Sequence, residues 1–329
     1  MVAYSAVRYQ QSVRVTAEVL SCHGVGPFHR VAVCQPFDPW AIGGVFRDAA
    51  LLCGADVLPL GLNVLGESLW ASLLEHDPTV ICGSASVLIR LGKGLSTHGS
   101  LPSRQRLIFH AGEPLPSPLR LECAEIWQAK VVNVYGNAEF DTLGSDGVIR
   151  QGLILAPHLA YALFNRARRK PSPLTPGHTG ELLIRPRGLA SWFRTKDNVR
   201  VLRSSTTADR LWPGSFVIEH LGRLDNSIQL PDGTIVHGKS IHALQRRLPI
   251  VALQVHSYKS VKHPSLRILV IPSNGTQLRP QIVRRALLQE CFELSDAVKH
   301  DVVSLTVKIA TLHEMDRTDR GKVRTFVEH

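Results

Sequence analysis

The chain has 329 residues, a net charge of +11 and a pI near 9.7. That length is about twice an ordinary domain, so two domains are expected. Hydrophobic residues at 44% and charged residues at 20% exclude a disordered or fibrous chain.

Tyr9 to Cys22 carries apolar residues at helical spacing and ends near Gly24 and Gly26. Arg30–Cys34 reads as a strand, Val45–Leu52 as a helix, Asp56–Leu60 as a strand and Leu65–Glu75 as a helix. The alternation continues with a strand at Thr79–Cys82, a helix at Ser84–Leu91 and a strand at Arg106–His110. A helix at Pro116–Trp127 and a strand at Lys130–Val134 complete it. Strands alternating with helices predict a mostly parallel sheet covered by helices. From about residue 146 the pattern changes to strands with few helices between them: Val148–Leu155, His158–Asn165, Gly180–Arg185 and Ser215–Leu221. Arg166–Pro176 is a basic, proline-containing connector and reads as an exposed loop. After Gly222 come a hairpin around Pro231-Asp232-Gly233, a helix at Ser240–Arg247, and strands at Ala252–His256 and Arg267–Ile271. A helix at Pro280–Phe292 and a strand at Ser304–Ile309 follow. The expected fold is α/β: a large N-terminal domain, 1–221, with a mostly parallel sheet and a β-rich subdomain, then a small α+β domain, 222–329.

No apolar run reaches the ~18 residues of a membrane helix, and Met1–Arg8 lacks the core of a secretory signal, so a cytoplasmic protein without membrane partners is expected. Cys22, Cys34, Cys53, Cys82, Cys123 and Cys291 form no C-x-x-C pair and read as reduced core thiols. Cys22-His23 is adjacent rather than spaced, which is weak support for zinc. The positive charge favours an anionic partner: a nucleotide, a coenzyme phosphate, an acidic carrier protein or nucleic acid. Nucleic acid rests on charge alone, without a recognisable motif, and is not expected.

Four segments carry chemistry. Phe109-His110-Ala111-Gly112-Glu113-Pro114 follows a strand, and a Gly-containing turn at a strand's carboxyl end is where open α/β sheets bind ligands. The other reading is an ordinary β-α turn. Asn133-Val134-Tyr135-Gly136-Asn137-Ala138-Glu139 also follows a strand and brings together a ring that can stack on a base, a glycine for close backbone approach, and a carboxylate suited to Mg²⁺. Its alternative is a Tyr-Gly turn with a surface glutamate. Thr206-Thr207-Ala208-Asp209 offers a carboxylate acceptor for a ribose diol. Gly222-Arg223-Leu224-Asp225 adds an arginine fork, with Asp225 at the composition break where a hinge would lie. Surface groups at a domain junction are the alternative for both. Asp316-Arg317-Thr318-Asp319-Arg320-Gly321-Lys322 puts a lysine beside a flexible glycine, able to stabilise developing phosphate charge, or else is a solvated basic tail.

Taken in this order, the segments resemble the adenylate-forming superfamily of acyl-CoA synthetases, carrier-protein adenylation domains and luciferases, and most nearly its phenylacetate–CoA ligase-like branch. The resemblance runs from about Tyr4 to Val327. It implies that Gly112 and Glu113 meet adenine and substrate, and that the Tyr135–Glu139 segment, entered through Asn133 and containing Gly136 and Asn137, supplies the adenine-stacking ring and the Mg²⁺ ligand Glu139. It further implies that Asp209 binds ribose, that Arg223 is the arginine that follows it and can reach the same sugar or a phosphate, that Asp225 is the hinge, and that Lys322 is the catalytic lysine of adenylation. Phe37-Asp38-Pro39-Trp40-Ala41-Ile42-Gly43-Gly44 looks like the family's acyl-site stretch. Phe37, Trp40, Gly43, Phe109 and Ala111 are therefore candidates to line a pocket for an aromatic or cyclic acid, with plain core as the competing reading for the aromatic ones.

The implied activity is ligation of a carboxylic acid through an acyl-adenylate, with ATP and Mg²⁺ as cofactors. CoA, an acyl carrier protein or another nucleophile would be the acceptor, in specialised biosynthesis, with a homodimer as one expected state. Two departures stand out. Ala208 replaces the family's usual glycine, and no Ser/Thr/Gly-rich phosphate loop is found, so the sequence reads as a shortened form beginning just after that loop. The alternative function is a catalytically degenerate homologue that binds acyl groups, nucleotides or a partner.

Overall fold

The computed structural model describes residues 5–37, 41–61, 67–98, 106–113, 115, 117–149, 152–165, 169–224, 227–230, 232, 234–258, 264–273, 276–316 and 325–329. They form two compact units: Met1–Thr195 with Val199–His220, and Lys196–Asn198 with Leu221–His329.

The first unit opens with α1 (Ala6–Cys22), β1 (Arg30–Cys34), α2 (Ile42–Leu52), β2 (Asp56–Pro59), α3 (Glu67–His76), β3 (Val80–Gly83), α4 (Ala85–His98), β4 (Arg106–His110), α5 (Ser117–Trp127) and β5 (Ala129–Asn137). The chain then turns to strands: β6 (Asp141–Asp146), β7 (Leu153–Leu155), β8 (Leu159–Asn165), β9 (Lys170–Ser172), β10 (Thr179–Pro186), β11 (Phe193–Ser204) and β12 (Phe216–Arg223). One sheet of order β2-β1-β3-β4-β5-β6-β7-β12-β11-β10-β8-β9 joins them. The pairs from β2 to β5 are parallel, and β5 pairs antiparallel with β6.

The parallel strands are apolar at nearly every position because both faces are covered. Side chains alternate between the two layers with the strand period of two. Val31 and Val33 of β1, Val80 and Cys82 of β3, Phe109 of β4, and Val132 and Val134 of β5 face one core with Leu20 of α1 and Phe46 of α2. Ala32 and Cys34, Ile81, Ile108 and Val131 face the other, against Leu88 and Leu91 of α4 and Cys123 and Trp127 of α5. A third core, with Leu143, Leu155, Leu182, Ile184 and Val199, lies in the antiparallel region.

Several boundaries differ from the sequence expectation. Helix α4 runs seven residues past Leu91, through Gly92 and Gly94, to His98. Gly92 is there because a Cβ would strike Ile126 and Trp127 of α5, so the glycine permits close helix packing rather than stopping the helix. Strand β5 continues through the Tyr-Gly segment to Asn137 and returns as β6, which was not expected, while the expected strand Val148–Leu155 shrinks to β7. The long strand β11 was also missed, its charged residues having masked the period-two pattern (buried Thr195, Asp197, Val199 and Val201). The connector read as a loop contains the short, mostly exposed β9.

In the second unit, β13 (Ser227–Gln229) and β14 (Ile235–His237) form the expected hairpin. There follow α6 (Gly238–His242), α7 (Leu244–Arg247), β15 (Ile250–Tyr258), β16 (Ser265–Pro272), α8 (Pro280–Glu290), α9 (Phe292–Lys299), β17 (Ser304–Ile309) and β18 (Phe326–Glu328). A four-stranded sheet, β17-β16-β15-β18, packs its Val255, Ile268 and Val270 against Val283 and Leu287 of α8 and Leu294 of α9. Among the described residues no helix is long and apolar enough to cross a membrane.

Candidate nucleotide-binding edge

Two of the predicted segments leave neighbouring parallel strands side by side. The β4–β5 register pairs His110 with Asn133, so the Ala111-Gly112-Glu113 turn and the Val134-Tyr135-Gly136 extension begin at one level on the sheet's carboxyl edge. Carboxyl edges of open α/β sheets are where ligands sit. The β1 end joins this edge: Gln35, 3% exposed, donates through Nε2 to the Ala111 carbonyl at 3.1 Å.

The turn after β4 is held by a buried imidazole. His110 is 0% exposed. The backbone N–H of Ala85, at the start of α4, donates to His110 Nδ1 at 2.9 Å, and His110 Nε2 lies 2.7 Å from the Glu113 carbonyl oxygen. An amide can only donate, so Nδ1 is the acceptor and the ring proton sits on Nε2. Burial pushes the imidazole pKa below its usual value; Glu113 and Asp146 oppose that shift and Arg120 adds to it. Gly112 is exposed with φ +95°, a left-handed conformation that glycine adopts without strain.

The turn after β5 is built differently. A bulge lies between Tyr135 and Gly136, and a Cβ on Gly136 would collide with the Asp141 carbonyl. Asn137 Oδ1 accepts from the Phe140 amide at 2.8 Å, closing the hairpin over Ala138 and Glu139. Glu139 is half-buried in this turn, and among the described residues its carboxylate makes no hydrogen bond or ion pair. Tyr135 is half-buried, its ring 5.5 Å from that of His220 on β12 and tilted by 50°. Asn133 is fixed at its backbone: its N–H donates to Asp146 Oδ2 at 2.8 Å, and its carbonyl accepts from Ser145 Oγ at 3.0 Å. Asp146 is also paired with Arg120 at 2.7 Å.

Asp209 sits in a different environment. It ends a short 3₁₀ turn, Thr207–Asp209, and is 0% exposed. Arg203 grips both carboxylate oxygens at 2.7 and 2.8 Å, and the Thr206 N–H and hydroxyl donate at 2.7 and 3.2 Å. Arg203 chiefly, then the Thr206 amide, hold the Asp209 pKa well below the usual carboxylate range. The carboxylate expected to meet a ribose thus has its strongest acceptor sites filled by its own neighbours. Arg203, six residues upstream on β11, was not singled out in the sequence because nothing in strand spacing points to it. In the second unit, Arg223 is exposed and lies 3.6 Å from buried Asp197.

The pocket candidates separate. Phe109 takes the core reading: it is 0% exposed, on the α1–α2 side of the sheet, with its ring edge-on to His23 at 5.8 Å. Ala111 is buried at the turn itself. Phe37 is half-buried, with the Arg47 guanidinium 6.0 Å from its ring, and the Gly43 N–H donates to the Pro36 carbonyl at 3.0 Å. A Cβ on Gly43 would meet that oxygen at 2.7 Å, so the α2 start needs glycine to fold back on Pro36. Trp40, Asp225 and Lys322 lie outside the described residues. Among the described residues no three His, Cys, Asp or Glu side chains are grouped to hold a metal.

Comparison with known proteins matches this edge. Residues 40–192, which include both the Gly112-Glu113 and Tyr135–Glu139 segments, match the AMP-binding enzyme family. No curated protein matches in sequence. The fold is shared with a 2-hydroxyisobutyryl-CoA ligase at TM-score 0.66 and 17% identity, over 99% of this chain and 72% of the ligase. An anthranilate CoA ligase gives TM-score 0.66 at 15% identity, over 98% of this chain and 63% of that one. The amide bond synthetase McbA from Marinactinospora thermotolerans gives 0.65 at 18%, over 98% and 65%. The fold is thus shared along nearly the whole chain with two CoA ligases and an amide bond synthetase, and the AMP-binding enzyme match, residues 40–192, spans the edge just described.

Proposed function

We propose that this protein is an ATP-dependent ligase that activates a carboxylic acid as its acyl-adenylate and hands the acyl group to a nucleophile. The observation that carries this reading is the register of β4 and β5, which sets the Gly112-Glu113 turn beside the Tyr135–Glu139 hairpin at one edge. In the first half-reaction a carboxylate oxygen attacks the α-phosphorus of ATP, the α–β bridging P–O bond breaks, and pyrophosphate leaves with its electron pair. Such chemistry needs positioning and charge stabilisation more than bond-making groups. Gly112 would let the nucleotide approach the backbone closely, and Tyr135 would offer its ring to the base.

Glu139 fits a Mg²⁺ ligand, because a carboxylate without a partner among the described residues suits an ion that takes most of its other oxygens from phosphates and water. Bound there, Mg²⁺ would offset phosphate charge. Asp209 and Arg223 are proposed for the ribose, Asp225 as the hinge and Lys322 as the catalytic lysine of adenylation. The acceptor is CoA, by likeness to the two CoA ligases, or a carrier-protein thiol or an amine. The acid is proposed to be aromatic or cyclic, seated near Phe37, Trp40 and Gly43.

A second reading, a homologue that binds without adenylating, is favoured by one observation: the Asp209 carboxylate is already gripped by Arg203 and Thr206. Acid-dependent exchange of labelled pyrophosphate into ATP separates the two. Exchange with at least one of a panel of aromatic and cyclic acids, lost in Lys322→Ala, is the expected result. ATP binding without exchange for any acid would select the second reading.

A further inference from the structure

We infer that His110 is a positioning residue: its neutral imidazole ties the Gly112-Glu113 turn to the first residue of α4, and gain of a proton there releases the turn and weakens ligand binding at this edge. The identity of that ligand as an adenine nucleotide rests on the preceding reading; the tie itself does not.

The geometry fixes the ring's protonation state. Ala85 N–H points at Nδ1 from 2.9 Å, and the Glu113 carbonyl faces Nε2 from 2.7 Å. A second proton could only go onto Nδ1, where it would meet the Ala85 N–H, donor against donor. The bond to Ala85 is then lost, which cuts the tie between turn and helix even while Nε2 still donates to Glu113. Strands β3 and β5 flank His110, pairing it with Gly83 and Asn133, so the ring has no slack in its layer.

The charged groups near the ring do not favour a cation. Arg120 of α5 and Asp146 of β6 are bonded to each other at 2.7 Å, so their fields largely cancel at the ring. Helix α4 presents its amino end, whose partial positive charge opposes an imidazolium. Glu113 is the remaining acid and favours the proton, but burial outweighs it. A polar side chain that ends the buried run Ile108–Phe109 has to be satisfied locally, and His110 is satisfied only while neutral. A histidine serving merely as core filler would have no reason to span two elements at the level where both candidate nucleotide segments emerge.

The linkage has a definite sign. The native pKa lies below the usual value near 6.5, so the unfolded or released turn binds the proton more readily. The tie is intact above about pH 6.5 and weakens as pH falls below that value.

Hydrogen exchange resolved at the Ala85 amide, corrected for intrinsic rates, reads the tie directly at about pH 8 and about pH 5.5. In wild type, protection should drop several-fold, up to about tenfold, at the lower pH, and the dissociation constant for AMP should rise by a similar factor. His110→Gln keeps one acceptor and one donor without a titrating group, so its protection and AMP affinity should be nearly flat across that range. Wild-type protection that stays constant, or falls equally in His110→Gln, overturns the inference. Should the variant fail to fold, the nitrogen spectrum of wild-type His110 decides. A proton on Nε2 at pH 8, with Ala85 protection lost in step with its titration, supports the tie. A ring that titrates without affecting Ala85 refutes it. Failure of wild type to bind AMP at pH 8 would count against the ligase reading, while the exchange result still judges the tie.

Discussion

Two carboxylates, Glu139 and Asp209, are the ones proposed for metal and ribose, and the structure treats them in opposite ways. Glu139 stands in the open hairpin turn after β5 and, among the described residues, engages no protein donor. Asp209 is sealed in a 3₁₀ turn under an arginine fork. The sealed carboxylate spends its charge on the fold, whereas the open one keeps its charge available to a cation. Only the carboxylate of this pair is fully buried, and such a pair is stabilising mainly in the sense that removing its partner is costly.

The contrast can be broken at several points. Phe109→Ala tests the floor beneath the open edge: if the ring is core, chemical denaturation should show a loss of about 4 kcal/mol. A loss under about 1 kcal/mol, with altered acid preference, would return Phe109 to the pocket. Arg203→Ala should cost about 3 kcal/mol, because it leaves Asp209 buried and unpaired.

The pH dependence gives the same test. With its native pKa depressed, the Asp209 contribution is complete above the ordinary carboxylate value near 4 and fades as pH drops below it. The double variant with Asp209→Asn should therefore have a shallower acid-unfolding curve. Glu139→Gln is expected to leave stability within about 0.5 kcal/mol of wild type while slowing pyrophosphate exchange by about 100-fold. The reverse pattern would make Glu139 structural.

Gly136→Ala should cost about 2 kcal/mol by pushing the bulge off the Asp141 carbonyl. Asn137→Ala removes the acceptor for the Phe140 amide, a single hydrogen bond, and should cost about 1 kcal/mol. If Gly136→Ala proves neutral, the close approach that shapes the open turn is not rigid.

The parallel half was legible because burial on both faces leaves a written trace. Arg30–Cys34 and Arg106–His110 were read with their observed limits, and the strand-end motifs fell at the carboxyl edge where the β4–β5 register places them. The antiparallel half was read poorly. Phe193–Ser204 carries Arg194, Lys196, Asp197, Arg200 and Arg203, and this density of charge, with Asp197 on the buried side, hid the strand. Arg203 could not be paired with Asp209 from spacing, since a strand followed by a turn has no fixed reach in sequence. Gln35 and Ala111 are 76 residues apart, a contact that only the sheet order creates.

Local chemistry in the sequence therefore determined which residues can bind, stack or bend: a glycine, a ring or a carboxylate keeps those abilities in any setting. Only the tertiary structure decided which abilities remain free, because that depends on burial and on donors brought in from distant strands. Asp209 lost its openness to Arg203, Phe109 was drawn into the core beside His23, and His110 gained two partners that make its proton count matter. Dielectric environment and hydrogen-bond competition are properties of the packed neighbourhood, and a one-dimensional string does not contain them.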